Sequence, residues 1–221
     1  MRKTFGLKLC ILGLSCLILG SAAENEGNPA NEIAKLVNAN RTATKLRKLY
    51  NNPGLGCMAL QFISQCLGNC SSNNTLSCHP PEVDITEVYA PNCGVELATV
   101  GIISGYLLGC HWNFLNPEQA FSNVLIRDKR TISLMHGRDL TELGAGFISE
   151  KHGGFYWCIL FSNETSNSSF VLEEGGKGIE QKTGCFSGSD VPCSSAGMKL
   201  LILAYSKLFV FILLLSFLLC Y

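Results

Sequence analysis

The sequence predicts an α+β domain: helices first, a small antiparallel sheet after them, and disulfide bridges across both. Three observations carry this reading. Apolar residues recur at helical spacing through residues 33–63. Two aromatic-rich apolar runs, 141–150 and 153–162, meet through Lys151-His152-Gly153-Gly154 in the manner of a hairpin. Eight cysteines fall between Cys57 and Cys185. Helices packed on such a sheet form a standard layered architecture.

The elements follow in chain order. A polar lead opens the domain at Glu24. Over 33–50, Ile33, Leu36, Val37, Ala43, Leu46, Leu49 and Tyr50 keep roughly to one helical face, with Asn31 as the cap. Asn51-Asn52-Pro53-Gly54 breaks that helix. Residues 55–70 form a second helix with Leu55, Ala59, Phe62 and Ile63 inward, and Cys66 and Cys70 staple it to neighbouring chain. Residues 71–92, with Pro80, Pro81 and Pro91, make a long loop. Residues 93–110 read as a third helix, although Gly101, Gly105 and Gly109 weaken it. Asn116 caps a short helix that starts with Pro117 and Glu118. The hairpin follows, and its second strand carries Cys158, where a bridge would pin the sheet to another layer. Residues 163–187 turn polar and glycine-rich and read as an exposed, glycosylated stalk.

Both ends read as addresses. Arg2 and Lys3, an apolar run from Leu9 to Leu19 and the small residues Ser21-Ala22-Ala23 describe a secretory signal over 1–23. The apolar tail from Leu200, interrupted by Lys207 and without a basic flank, describes a signal for a glycosylphosphatidylinositol (GPI) anchor, removed as 188–221. Ser187 is the expected attachment residue because a polar spacer follows it; Ser189, Ser194 and Ser195 are the alternatives. Cysteine parity points the same way. Of the 12 cysteines, Cys10 and Cys16 leave with the signal, and Cys193 and Cys220 leave with the tail. Eight remain to pair: Cys57, Cys66, Cys70, Cys78, Cys93, Cys110, Cys158 and Cys185. In a secreted chain these read as a disulfide framework with open connectivity, and the absence of paired CxxC spacing argues against zinc.

The remaining ectodomain, 24–162 with its stalk, is long enough for one core. Of 17 basic residues 12 stay, and of 17 acidic residues 16 stay, so the domain is mildly acidic. That excludes a nucleic-acid partner, which needs a basic surface. Sequons at Asn40, Asn69, Asn73, Asn163 and Asn167 agree with passage through the secretory route to the extracellular face of the plasma membrane.

No residue pattern demands catalysis. His136, Arg138 and Asp139 read as a solvated loop before a strand. His111 beside Trp112 reads as packing, and His152 as an exposed turn. Glu118 and Asp128 are no more a pair than any two acids here. No nucleophile elbow, HExxH or phosphate loop occurs. Lys35, Arg41, Lys45, Arg47 and Lys48 form a basic run that reads as a solvated helix face, with acidic wall polysaccharide or anionic headgroups as the functional counterpart.

Two blocks carry a family resemblance. Asn38, Arg41, Leu49, Leu55 and Ala59 resemble the first two helices of the CAP superfamily (secreted cysteine-rich, antigen-5 and pathogenesis-related-1-like proteins). Thr141-Glu142, Gly144, Gly146 and Tyr156-Trp157 resemble its late hairpin. The whole chain is similar to plant GPI-anchored proteins with a CAP-like core. The resemblance implies CAP-like helices on a small sheet and, in many members, a metal cleft of two histidines and two acids. Here Arg130 and Thr131 stand where the last histidine would fall, and His79, His111, His136 and His152 do not fit the pattern. We therefore expect no metal, no cofactor and no enzyme activity. The expected role is a surface binding or interaction module, attached to the outer leaflet by its GPI lipid and facing a wall or protein partner. A lipid or small-molecule binder and a surface hydrolase are the alternatives.

Overall fold

The computed structural model describes residues 27–150, 153–163, 169–176, 183–190 and 193, all within the compact unit Gly27–Ala196. The signal, the apolar tail, Lys151-His152, Asn167, Ser194 and Ser195 lie outside the described residues.

Helix α1 spans Pro29–Ala43. Its cap is Asn28 rather than Asn31: the Asn28 side chain accepts from the N–H groups of Ala30 and Asn31, and Pro29 takes the first turn. The helix stops well before Tyr50. Lys45 adopts a left-handed φ of 61°, and Leu46 N–H turns back to the Arg41 carbonyl. Tyr50–Asn51 then forms a short strand, β1. Helix α2, Pro53–Ser64, is capped by Asn52, whose side chain accepts from Leu55 N–H. Leu55, Cys57, Met58, Ala59, Leu60, Phe62 and Ile63 are all buried, so the helix is apolar nearly all round, as a central helix must be.

The segment expected as one long loop carries a π-helical turn, Ile85–Tyr89, running into a short helix α3, Ala90–Asn92. Ile85, Tyr89 and Ala90 bury there and give the turn its tertiary support. The expected third helix is instead a strand, β2, Ile103–His111. Each internal glycine costs a helix roughly 1 kcal/mol relative to alanine. In the strand, two of them admit neighbours closely: a Cβ on Gly109 would stand 2.2 Å from Val124, and one on Gly105 2.6 Å from Leu134.

Helix α4, Pro117–Ala120, has the expected Asn116 cap, completed as a capping box by Gln119. It continues as a π-helical turn, Phe121–Leu125. Helix α5, Lys129–Met135, to which the sequence reading assigns no element, is capped by Asp128, which accepts from Thr131 N–H, and the expected loop follows it over His136–Asp139. The hairpin forms as expected from strands β3, Glu142–Ser149, and β4, Phe155–Ser162.

The sheet order is β1-β3-β4-β2, and a further strand β5, Cys185–Phe186, pairs with β3 beyond β1. Both faces are buried. On β4, Tyr156, Cys158 and Leu160 enter a core shared with α2 and α3. The alternate residues Trp157, Ile159 and Phe161 enter a second core shared with α1, α4 and α5. Such alternation follows from the two-residue period of a strand. The result is a layer of helices on each side of the sheet. On β3 the α2-facing positions are Gly144 and Gly146, which let the helix backbone lie directly against the strand: an added Cβ would stand 2.2 Å from Gly56 N and 2.4 Å from Leu60 N.

Of the stalk expected over 163–187, the described residues 169–172 and 184–187 join the fold. Phe170 is buried, Leu172 bridges Val95, and Phe170 O sits where a Cβ of Gly54 would be. Among the described residues no helix is long and apolar enough to cross a membrane.

Candidate functional site

Among the described residues four bridges form: Cys57–Cys93, Cys66–Cys78, Cys70–Cys110 and Cys185–Cys193. Two expectations fall with them. Cys158 is not bridged: it is a free, buried thiol, in register with Leu108 on one side and Gly146 on the other, and burial pushes its pKa well up. The other cysteines of that core are already consumed in pairs. Cys193, expected to be discarded, is the partner of Cys185, eight residues away.

Ser187 fares no better as a lipid site. It is fully buried, donates its N–H to Ala145 O at 2.8 Å and accepts from Ala145 N–H through its hydroxyl at 2.8 Å. A chain cut after Ser187 or Ser189 loses Cys193 and leaves Cys185 without its partner. Ser189 is also tied in, since its carbonyl accepts from Asn31 and Asn28.

Residues of the CAP resemblance act as braces. Asn38 donates to Leu49 O and accepts from Leu49 N–H, at 2.9 and 2.7 Å. Arg41 is fully buried, so it leaves the expected basic face. Its guanidinium donates to the carbonyls of Arg47, Met135 and Gly137, and burial followed by the nearby Arg47 lowers its pKa. Glu142 is buried and accepts from Asn52. Of the rest of the basic run, Lys35 pairs with Glu32 at the surface, and Lys45, Arg47 and Lys48 are exposed.

The described histidines, His79, His111 and His136, sit on separate segments of the chain. His136 ends α5 and contacts the side chain of Asn40 at 2.7 Å, while Arg138 and Asp139 are exposed. His111 hydrogen-bonds within its own turn to Asn113, and Trp112 donates its indole N–H to Ser71 O. Glu118 is exposed on α4, and Asp128 caps α5. Of the sequons, Asn69, Asn73 and Asn163 are exposed and Asn40 is half-buried. Among the described residues, no three His, Cys, Asp or Glu side chains come together as a metal-ligand set.

One cleft stands out, about 1060 Å³ in volume. Its floor is β2, the last strand of the sheet, contributed by the consecutive residues Ile103–Leu108. One wall is the chain from Leu76 to Thr86, held by the Cys66–Cys78 bridge. The other is the start of α5, with Asp128, Arg130, Thr131 and Leu134. The two walls belong to the two helical layers, which extend past the edge of the sheet and leave a slot in its plane.

Hydrogen bonding fixes which way the β2 backbone faces. Glu150 N–H donates to Gly154 O, which makes that pair a hydrogen-bonded one. Alternation along the hairpin then turns Trp157, Ile159 and Phe161 toward β2, opposite Gly109, Leu107 and Gly105. The N–H and C=O groups of Tyr106 and Leu108 therefore point out of the sheet into the slot. Ser104 lies at the irregularity between Ile103 and Gly105, and its buried hydroxyl has no hydrogen-bond partner among the described residues.

The slot is polar on its rims. Tyr106 faces Glu82; burial first, and then that carboxylate, raise the tyrosine pKa. Asp128 is held below the ordinary aspartate value by Thr131 N–H and, to a lesser degree, by Arg130. Among the described residues, no hydroxyl of the slot hydrogen-bonds His79.

This site escaped the sequence reading because its floor was read as a helix. The signal was present: Ile102-Ile103 and Tyr106 favour a strand, the spaced glycines disfavour a helix, and no charged residue or proline interrupts 97–110. Comparison with family models, curated proteins and solved structures finds no match for this chain.

Proposed function

We propose that this chain is an N-glycosylated, disulfide-stabilised ectodomain with a degenerate CAP-like core, tethered by a GPI lipid to the outer face of the plasma membrane, where it serves as a binding module and not as an enzyme. The observation that carries the binding reading is the slot beside β2: a large cleft, walled on two sides, with exposed main-chain donors and acceptors. Four bridges within the fold support an oxidising, extracellular setting. The structural work done by Asn38, Arg41, Gly144 and Gly146 supports keeping the CAP-like resemblance. The Cys185–Cys193 bridge moves the proposed lipid attachment to Ser194 or Ser195, downstream of both cysteines.

A lipid-binding alternative draws on Leu76, Val83, Ile85, Ile103 and Leu134 in the same lining. The cleft is open rather than a closed tunnel, which favours a ligand that keeps one side in water.

The test has two parts. Phosphatidylinositol-specific phospholipase C should release the protein from intact cells, and the released chain should rebind saturably to cells already stripped by the enzyme. Rebinding should drop in a Glu82→Arg, Arg130→Glu double variant. Retention on the cell after verified enzyme action removes the anchor. Rebinding that ignores the double variant removes the slot as the binding surface.

A further inference from the structure

Resting on the binding-module reading, we propose that the ligand of the slot is an extended peptide segment of a partner protein, added as a further strand along β2 with a basic side chain directed at Glu82.

The geometry selects an extended backbone. The slot lies in the plane of the sheet, and its floor is a strand edge whose Tyr106 and Leu108 main-chain groups point outward with no partner strand among the described residues. Donors and acceptors at that spacing match another strand, and an incoming peptide bonds to them whatever its sequence. Six lining residues correspond to roughly 20 Å of strand, enough for a short peptide. Exposed edges are normally blunted by charges, prolines or cover. On β2, Ile103–Cys110 carries neither charge nor proline, and cover comes only from the side walls.

The walls supply selectivity. Successive side chains of an added strand would point alternately at the Leu76–Thr86 wall and at α5. On the α5 wall, Asp128 is answered by Arg130. On the other wall Glu82 is exposed, faces Tyr106, and forms no ion pair among the described residues. A Lys or Arg on that side of the peptide completes the charge balance, and the apolar lining takes its aliphatic neighbours.

Hydrogen exchange on the full chain in detergent micelles, read by mass spectrometry across Ile103–Gly109, tests this. The probes are a seven-residue peptide alternating Val with Lys and Thr, its counterpart with Glu for Lys, and an N-methylated form of the first. In the free protein, the amides of Tyr106 and Leu108 should exchange fast while those of Gly105, Leu107 and Gly109 are protected. The Lys peptide should slow the first two at least about tenfold, the N-methylated form should not, and Glu82→Arg should weaken the Lys peptide about tenfold and favour the Glu peptide. Leu108→Pro, which removes an outward N–H, should abolish binding with the circular dichroism spectrum kept; should that variant fail to fold, Glu82→Arg carries the test. Slow Tyr106 and Leu108 amides in the free monomer mean that the chain fills its own slot, and slow amides only in a dimer mean that a second copy does; either overturns the proposal. So does peptide binding that leaves these amides unprotected, or no binding at millimolar peptide. Saturable displacement of a fluorescent fatty acid from the slot, with no peptide effect, overturns the peptide and leaves the binding-module reading standing.

Discussion

Replacing Gly146 by alanine tests the packing that sets the whole architecture. The new methyl would stand 2.4 Å from Leu60 N and 2.6 Å from its Cα, where ordinary contact begins at 3.4 Å. Helix α2 must therefore retreat by about 1 Å, or β3 must bow by as much. Retreat is opposed, because Cys57 ties α2 to Cys93 and Asn52 ties its start to Ser169 O at 2.6 Å. The obstacle is backbone, not a side-chain tip that can rotate away, so the cost belongs at the upper end of overpacking, about 3 kcal/mol. Gly144→Ala meets Gly56 N at 2.2 Å and should cost as much. The double variant should cost less than the sum of the two, since one retreat of α2 relieves both clashes. Urea unfolding without reductant gives these values, with Gly27→Ala, which meets nothing within 4 Å, as the control expected within about 0.5 kcal/mol of the parent. A Gly146→Ala loss below about 1 kcal/mol would refute the argument that backbone contact sets the layer spacing.

Denatured but unreduced protein, alkylated and mapped by mass spectrometry, should carry label at Cys158 and at none of the eight bridged cysteines, and the native protein should resist labelling at Cys158 because the thiol is buried and protonated. Asn38→Ala strips both hydrogen bonds from the buried Leu49 main chain and should cost about 2–3 kcal/mol in the same unfolding assay. Removing the Cys70–Cys110 bridge, which spans 40 residues, should cost about 4 kcal/mol, against about 2.5 for Cys185–Cys193, which spans eight; the reverse order in thermal melts would count against the loop-entropy account. Asp128 has a depressed pKa in the folded chain, so its contribution is complete above the ordinary value of 3.8 and is lost as pH falls through the lower folded value. Asp128→Asn, which keeps a cap acceptor but not the charge, should flatten stability against pH in that acid range and lower it modestly at neutral pH, where the aspartate's contribution is complete.

Local signals in the sequence determined the elements whose periodicity or capping chemistry is unambiguous. Helices α1 and α2, the Asn116-Pro117 helix start and the 141–162 hairpin were legible in kind because apolar spacing acts within a few residues, although α1 is capped by Asn28 rather than Asn31 and stops at Ala43. So was the need for bridges in a cysteine-rich chain. Tertiary structure decided the rest. Residues 93–110 had apolar content compatible with either helix or strand, and pairing with the β4 edge, with Val124 and Leu134 pressed on Gly109 and Gly105, decides for the strand. Cysteine parity predicted that Cys158 would pair and Cys193 would leave. Pairing depends on which sulfurs meet across the fold, and Cys158 faces Leu108 and Gly146 rather than a thiol. Ser187 reads locally as a lipid-attachment residue because its neighbours are small and a polar spacer follows, yet it is hydrogen-bonded to Ala145, on a strand 42 positions away. The slot beside β2 belongs to no local pattern at all: it exists because two helical layers extend past the edge of one sheet, an arrangement set by packing between segments remote in sequence.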